Sequence, residues 1–180
     1  MKLLNKCVGF KVMEFFLTHP SVEIHLNELA RRLEISPASV KTHCDELSKD
    51  KIIAEKQTGN LRLFRLNRED FGVRAMIRAY HLLLLKKLGI EDIAQGCISL
   101  AIYGSMASGN LDERSDLDIL VIGDEMDSDR DGVLKLEERL GREVQLTVLP
   151  FFQWEKMKRE GDKFSESVLR NHVLVKGAEL

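Results

Sequence analysis

Cysteine is scarce in this chain: three in 180 residues. Cys7, Cys44 and Cys97 are odd in number and show no paired spacing, which argues against a disulfide framework or a zinc-ligand set. They read as reduced thiols of a cytoplasmic protein. Long apolar runs are also missing. Stretches such as Leu82–Leu85 fall far short of the roughly 20 residues a membrane-spanning helix needs, so no membrane partner is expected. The amino-terminal MKLLNKCVGFKVMEFF is broken by Lys11 and Glu14 and lacks a small-residue cleavage site, so a secretory leader is not expected either. What remains is a globular composition. A hydrophobic fraction of 44% and a charged fraction of 31% suit a chain with a packed core, in one domain or two small ones.

The net charge of −2 hides an asymmetry. Residues 1–66 carry 11 Lys+Arg against 8 Asp+Glu, and residues 67–180 carry 16 against 21. The amino-terminal part is therefore the basic one, which hints at separate partners for the two parts, although an excess of +3 is modest for a nucleic-acid binder.

Apolar residues within Leu3–Leu17 suffice for a buried helix, stopped by Thr18-His19-Pro20. After a short strand at Ser21–His25, Asn27–Leu33 reads as a helix with Asn27 at its cap. Ser36-Pro37 opens another, with Ser36 as N-cap and Pro37 where a missing N–H costs nothing. Val40, Cys44 and Leu47 share one face of that helix, leaving Ala38, Ser39, Lys41, Thr42 and Asp45 on the other. Two short strand-like runs, Ile52–Gln57 and Leu61–Leu66, flank a hairpin turn at Thr58-Gly59-Asn60. Asn67, with Asp70 three residues on, then suggests the start of a long helix from about Glu69 to Leu88. Its stripe of Met76, Ala79, Tyr80, Leu83 and Leu84 is widened by Leu82, Leu85 and Leu88. A helix apolar over so much of its circumference is expected to pack on more than one surface or to join two copies in a homodimer.

The most informative stretch is Tyr103–Ile122. A strand at Ile98–Tyr103 delivers Gly104-Ser105, a helix starts near Met106–Gly109, and ten residues after Ser105 comes Asp116-x-Asp118, running into an apolar strand at Leu117–Ile122. Carboxylates spaced i, i+2 on a strand project from one face, so both reach a single ion. Two negative charges at the lip of a buried sheet are costly unless a cation or donors offset them. Beyond this stretch, helices at Val133–Leu140, Phe151–Arg159 and Phe164–Asn171 and strands at Glu143–Leu149 and His172–Val175 complete a mixed domain. Asp127-x-Asp129-x-Asp131-Gly132 with Glu138 formally fits an EF-hand loop, yet a strand precedes it and Lys135 holds the ninth position, so an acidic strand-to-helix loop is the better reading.

Two resemblances follow from these residues. The order helix, helix, helix, hairpin is that of a winged helix-turn-helix, and ISPASVKTHCDELSKDKII resembles the recognition-helix segment of small prokaryotic transcription regulators. That resemblance implies DNA as a partner, with Ala38, Ser39, Lys41 and Thr42 facing the major groove and Lys56 and Arg62 meeting phosphate. Gly104-Ser105, ten residues, then Asp-x-Asp resembles the signature of polymerase-β-type nucleotidyltransferases, most closely their small prokaryotic antitoxin-type members. By that resemblance Gly104, Ser105 and Ser115 would bind the nucleotide, a nucleoside triphosphate such as ATP. Asp116 and Asp118 would be catalytic and would hold Mg2+ or Mn2+, and the acceptor would be a hydroxyl, with a protein among the candidate acceptors.

Such enzymes usually carry a third carboxylate on the next strand. Here REVQLTVL places Gln145 there, an amide that cannot act as a base, while Glu143 lies one same-face step away, roughly 6–7 Å. The expectation is therefore an α+β chain with a winged helix at 1–67, a connecting helix at 68–95 and a nucleotidyltransferase-like domain at 96–180. Two functional readings stand: a DNA-binding nucleotidyltransferase, or a transcription regulator whose second domain is inactive and serves ligand sensing or oligomerisation.

Overall fold

The computed structural model describes residues 7–59 and 61–180. The expected helix start at Leu3 and the turn residue Asn60 lie outside that range. The chain divides into two compact units between Ile77 and Arg78. No described helix is long and apolar enough to cross a membrane.

In the first unit α1 (Val8–Thr18) buries Val12, Phe15, Phe16 and Leu17. Each such side chain removed from water stabilises the fold by roughly 1.5–3 kcal/mol. Strand β1 (Glu23–His25) leads into α2 (Leu26–Leu33). The cap of α2 is His25, whose ring accepts the Asn27 N–H at 3.3 Å, and not Asn27 itself: the helix begins at Leu26, directly after the strand. Glu34 closes α2 in the left-handed region, at φ 56°. Ser36 then caps α3 (Pro37–Lys49), its hydroxyl accepting from Ser39 N–H, and Val40 and Cys44 point fully inward.

Strands β2 (Ile53–Thr58) and β3 (Leu61–Leu66) pair antiparallel from Thr58↔Leu61 to Ile53↔Leu66. With β1 against β3, they form a three-stranded sheet in the order β1-β3-β2. Ile24, Ile53, Phe64 and Leu66 supply its buried side.

The division between units falls inside α4 (Phe71–Leu88). Asp70 caps it, accepting from Gly72 and Val73 N–H at 2.8 and 3.1 Å, whereas Asn67, the expected cap, donates to Lys51 O. The stripe is also phased differently from expectation. Val73, Ile77, Tyr80, His81 and Leu85 are buried, while Ala79 is exposed and Leu83 is 55% exposed. A run of four leucines is apolar in every direction and cannot by itself say which face turns inward.

The second unit is a four-stranded sheet in the order β6-β5-β4-β7, built from β4 (Ser99–Tyr103), β5 (Leu117–Ile122), β6 (Val144–Leu149) and β7 (Val173–Gly177). β4 runs antiparallel to both neighbours, and β5 and β6 are parallel, joined through α6 (Arg130–Leu140). A parallel pair requires such a crossover. β5 is buried on both faces, with Leu117, Ile119, Leu120 and Val121 at 0% exposure, which explains its unbroken apolar run. On one face Leu120 and Ile122 pack with Trp154 of α7 (Phe151–Glu160) and Val168 of α8 (Lys163–Arg170), flanked by Tyr103, Leu149 and Phe164.

Candidate functional site

β4 hands the chain to a sharp turn at Gly104, which opens the short α5 (Gly104–Ser108). Gly104 sits at φ +69°, and a Cβ there would collide with Oδ2 of Asp118. Glycine is thus required twice over, by backbone conformation and by the carboxylate against it. Register explains the meeting: Tyr103 is the Cα partner of Asp118 across the β4–β5 ladder. Ser105 lies half-buried in the first turn of α5, and Ser108 Oγ and Asn110 N–H bond its carbonyl, fixing the turn. At five residues α5 is too short for a macrodipole to matter, so any anion here would meet individual N–H groups.

Asp118 is half-buried, and its carboxyl is held above the ordinary range, first by burial and second by the negative charge of Asp116. The two carboxylates therefore lie close enough for their charges to interact at the start of β5. Tyr103, whose hydroxyl lies 3.2 Å from Thr147 Oγ1, borders the same face. Burial raises its phenol, with the Asp118 charge acting in the same direction.

The loop before Asp116 is tightly built. Ser115 Oγ donates to Asp112 Oδ1 at 2.9 Å and accepts from Asp112 N–H at 3.0 Å, so the hydroxyl expected at the nucleotide is engaged within its own loop. Arg142 donates to the carbonyls of both Asp112 and Ser115, clamping the loop's two ends. Its guanidinium is pulled below its usual value by burial, against the charges of Glu113 and Asp112. Nothing in the sequence signals this role, because the contact depends on where the turn after α6 places one arginine.

Gln145 is the Cα partner of Asp118 on β6, the place where a third carboxylate was sought. Its amide donates to Glu143 Oε1 at 2.9 Å. Among the described residues no group of three His, Cys, Asp or Glu side chains forms a metal site. Two oxygen-donor carboxylates with a close backbone turn fit a hard divalent ion that takes its remaining ligands from water or phosphate, and do not fit an all-protein cage. Asp127, in the EF-hand-like stretch, instead accepts from Asp124 N–H and caps its own turn.

In the first unit, Lys41 and Thr42 are exposed on α3 and Ser39 is half-buried. Each basic residue expected on DNA has a carboxylate at hand. Lys41 lies 3.4 Å from Asp45 and Lys56 3.8 Å from Glu23. Arg62 contacts Glu55 at 2.5 Å and Asp45 at 2.6 Å and rests over the Phe64 ring. These bonds raise the Arg62 guanidinium and lower both carboxyls.

Residues 89–175 match the family model of the nucleotidyltransferase domain. The matched span contains Gly104, Ser105, Asp116, Asp118 and Gln145, and hence the whole carboxylate edge of this nucleotidyltransferase-type unit. Two solved structures are similar at a low level. One is a possible transcriptional regulator from Methanosarcina mazei Go1, 19% identical, covering 49% of this chain and 78% of that one, with a TM-score of 0.33. The other is a cysteine-to-serine mutant of Lactococcus lactis ZitR in complex with DNA, 20% identical, covering 44% of this chain and 59% of that one, also at 0.33. Likenesses this weak carry no argument. Comparison with curated proteins gives no match.

Proposed function

We propose that the chain joins a winged-helix DNA-binding module (1–67), through a connecting helix (68–95), to a domain (96–180) that binds a nucleoside triphosphate with a divalent cation and transfers its nucleotidyl group to a hydroxyl. The observation that carries this reading is the Gly104 turn seated against Asp118, with Asp116 beside it. A partly buried carboxylate next to another carboxylate is an unfavourable arrangement for a structural role. It becomes favourable when positive charge arrives.

Asp116 and Asp118 would hold Mg2+ or Mn2+, which supplies neutralisation of phosphate charge when bound. Backbone N–H groups at Gly104-Ser105 and the Ser105 hydroxyl would receive phosphate oxygens. Arg142, through Asp112 and Ser115, holds the loop that orients Asp116. In the transfer, the acceptor oxygen bonds to the α-phosphorus as the bond to the leaving pyrophosphate breaks. The hydroxyl proton passes to solvent, because Gln145 offers no basic group where family members carry one. Lacking that assistance, turnover is slower by about a hundredfold. ATP is the nucleotide and a protein hydroxyl the acceptor in this reading. DNA contacts are assigned to Ser39, Lys41, Thr42 and Lys56, and to Arg62 once Asp45 and Glu55 release it, and the assembly is a cytoplasmic homodimer.

The second reading, a regulator whose nucleotidyltransferase-like domain senses a ligand or oligomerises without catalysis, is favoured by one observation: the Gln145 amide is already bonded to Glu143 beside Asp118. Incubation with labelled ATP, Mg2+ and candidate acceptors separates the two. Label transfer that disappears in Asp116→Ala/Asp118→Ala supports the enzyme. Nucleotide binding without transfer, lost in the same variant, supports the sensor, and no binding at all removes both site assignments.

A further inference from the structure

β6 is the outer strand of its sheet. Leu117 N–H donates to Glu143 O and Gly123 N–H to Leu149 O, which sets the alternation of the parallel ladder. Backbone groups of Glu143, Gln145, Thr147 and Leu149 turn toward β5, and those of Val144, Leu146 and Val148 turn outward. The outward Val144 N–H is taken by Glu137 Oε1 at 2.8 Å. Pro150, at the next outward position, has no N–H to offer. The edge is thus a short template of two residues, Leu146 and Val148, each presenting one N–H and one C=O.

Exposed edges are ordinarily blunted by lysine, proline, a bulge or an inward charge. β6, VQLTVL, contains none of these. Alongside it a groove of about 550 Å³ is lined by Val144, Leu146 and Val148 with Leu134 of α6 and, on its polar side, by Glu125, Arg130 and Glu137. Leu134 is 57% exposed.

We propose that β6 pairs antiparallel with β6 of a second copy about a two-fold axis at Thr147. Self-pairing about that point sets Leu146 opposite Val148 of the other copy, and Val148 opposite Leu146, joining all four free N–H groups to the carbonyls of the same residues and leaving only the outward Val144 carbonyls without a donor. Val144, whose N–H is already bonded, falls opposite Pro150, which has none. Centring instead on Leu146 would set Val144 against Val148 and make a new partner compete with Glu137. A two-fold axis normal to the sheet keeps equivalent faces together, so both copies of Leu134 close over the joined grooves. The strand bears no charge, so no like charges oppose one another across the pair. The occupant is a second copy because, in the register centred on Thr147, the one outward N–H already taken, that of Val144, meets the one outward position without an N–H, Pro150, in both copies at once. This inference does not depend on the nucleotidyl-transfer reading, although it joins the copies through the strand that carries Gln145 beside Asp118.

Sedimentation and residue-resolved amide exchange of the full chain test it. The wild type is expected to sediment as a dimer whose Leu146 and Val148 amides lose protection on dilution, while the Val144 amide keeps its protection. Val148→Lys and Val148→Glu each place like charges on a diagonal of the pair, roughly 7–8 Å apart, and each should be a folded monomer; mixing them should restore a dimer. Leu134→Glu, on an exposed helical position, should weaken the dimer without touching the strand. The proposal is overturned by a wild type that stays monomeric, by a dimer whose Leu146 and Val148 amides exchange freely, or by protection of those amides only when a foreign strand peptide is added.

Discussion

The two units handle charge in opposite ways. In the first, Arg62 meets Asp45 and Glu55 at 2.6 and 2.5 Å, and each group shifts in the direction that favours its own charged form. In the second, Asp118 is half-buried against Asp116 and a glycine turn, and its shift opposes its charge. A satisfied network holds a fold together and has little left for a ligand. An unsatisfied one loses stability that a ligand restores, so the carboxylate edge is the stronger candidate for a binding site and the α3–hairpin surface the weaker one.

The largest effect expected from this contrast comes from removing the frustrated charge. Asp118→Asn should reduce nucleotidyl transfer by about a thousandfold or more, the scale of losing several kcal/mol of phosphate charge stabilisation. Thermal stability should stay level or rise, since the variant no longer buries a carboxylate beside Asp116. Transfer assays paired with calorimetric unfolding check both halves, and a loss of stability alongside activity would mean that Asp118 is structural. Gly104→Ala comes next. A left-handed backbone costs a non-glycine residue about 1–3 kcal/mol, and the new methyl would displace the Asp118 carboxylate. Nucleotide affinity should fall by at least about tenfold together with stability, which equilibrium titration and denaturant unfolding would report.

The carboxylate edge was legible in the sequence because its parts are local. Asp118 stands in β5 and Asp116 directly before it, and the apolar run of β5 fixes that strand. The register pairs Gln145 of β6 with Asp118 of β5, and both strands are marked by their apolar pattern. The rest depends on tertiary placement. The Ser115 hydroxyl is bonded to Asp112 within its own loop, a contact that the motif spacing does not show. Arg142 gave no sign of clamping that loop across about thirty residues of chain. Likewise the sequence offers no sign of the carboxylates around Arg62, which lie seven residues away on a hairpin and seventeen residues away on α3. The phase of α4 was illegible for another reason: four successive leucines offer no polar face to exclude.

Freeing the satisfied cation sharpens the contrast from the other side. If Asp45 and Glu55 hold Arg62 away from phosphate, Asp45→Asn/Glu55→Gln should strengthen DNA binding. The dependence of log affinity on log salt should steepen by about one, the signature of one added phosphate contact. Arg62→Ala should leave wild-type DNA affinity nearly unchanged while costing some stability. Titrations of binding at several salt concentrations decide between this and a wild type in which Arg62 already contacts DNA, where Arg62→Ala would flatten the slope.

The smallest effect is the pH dependence of that same cluster. Asp45 and Glu55 have lowered folded-state values, caused first by their bonds to Arg62. Their contribution is therefore complete above the ordinary carboxylate range near pH 4 and is lost as pH falls through the lowered values. The wild type should lose stability on acidification below about pH 4.5 more steeply than Arg62→Ala, and the two should converge near pH 2. Because all three side chains are about one-third exposed, solvent screening limits the difference at neutral pH to about 1 kcal/mol or less. Urea unfolding of the two proteins across that range measures it. Parallel curves would show that the cluster is held by the Phe64 contact and packing, with little contribution from its charges.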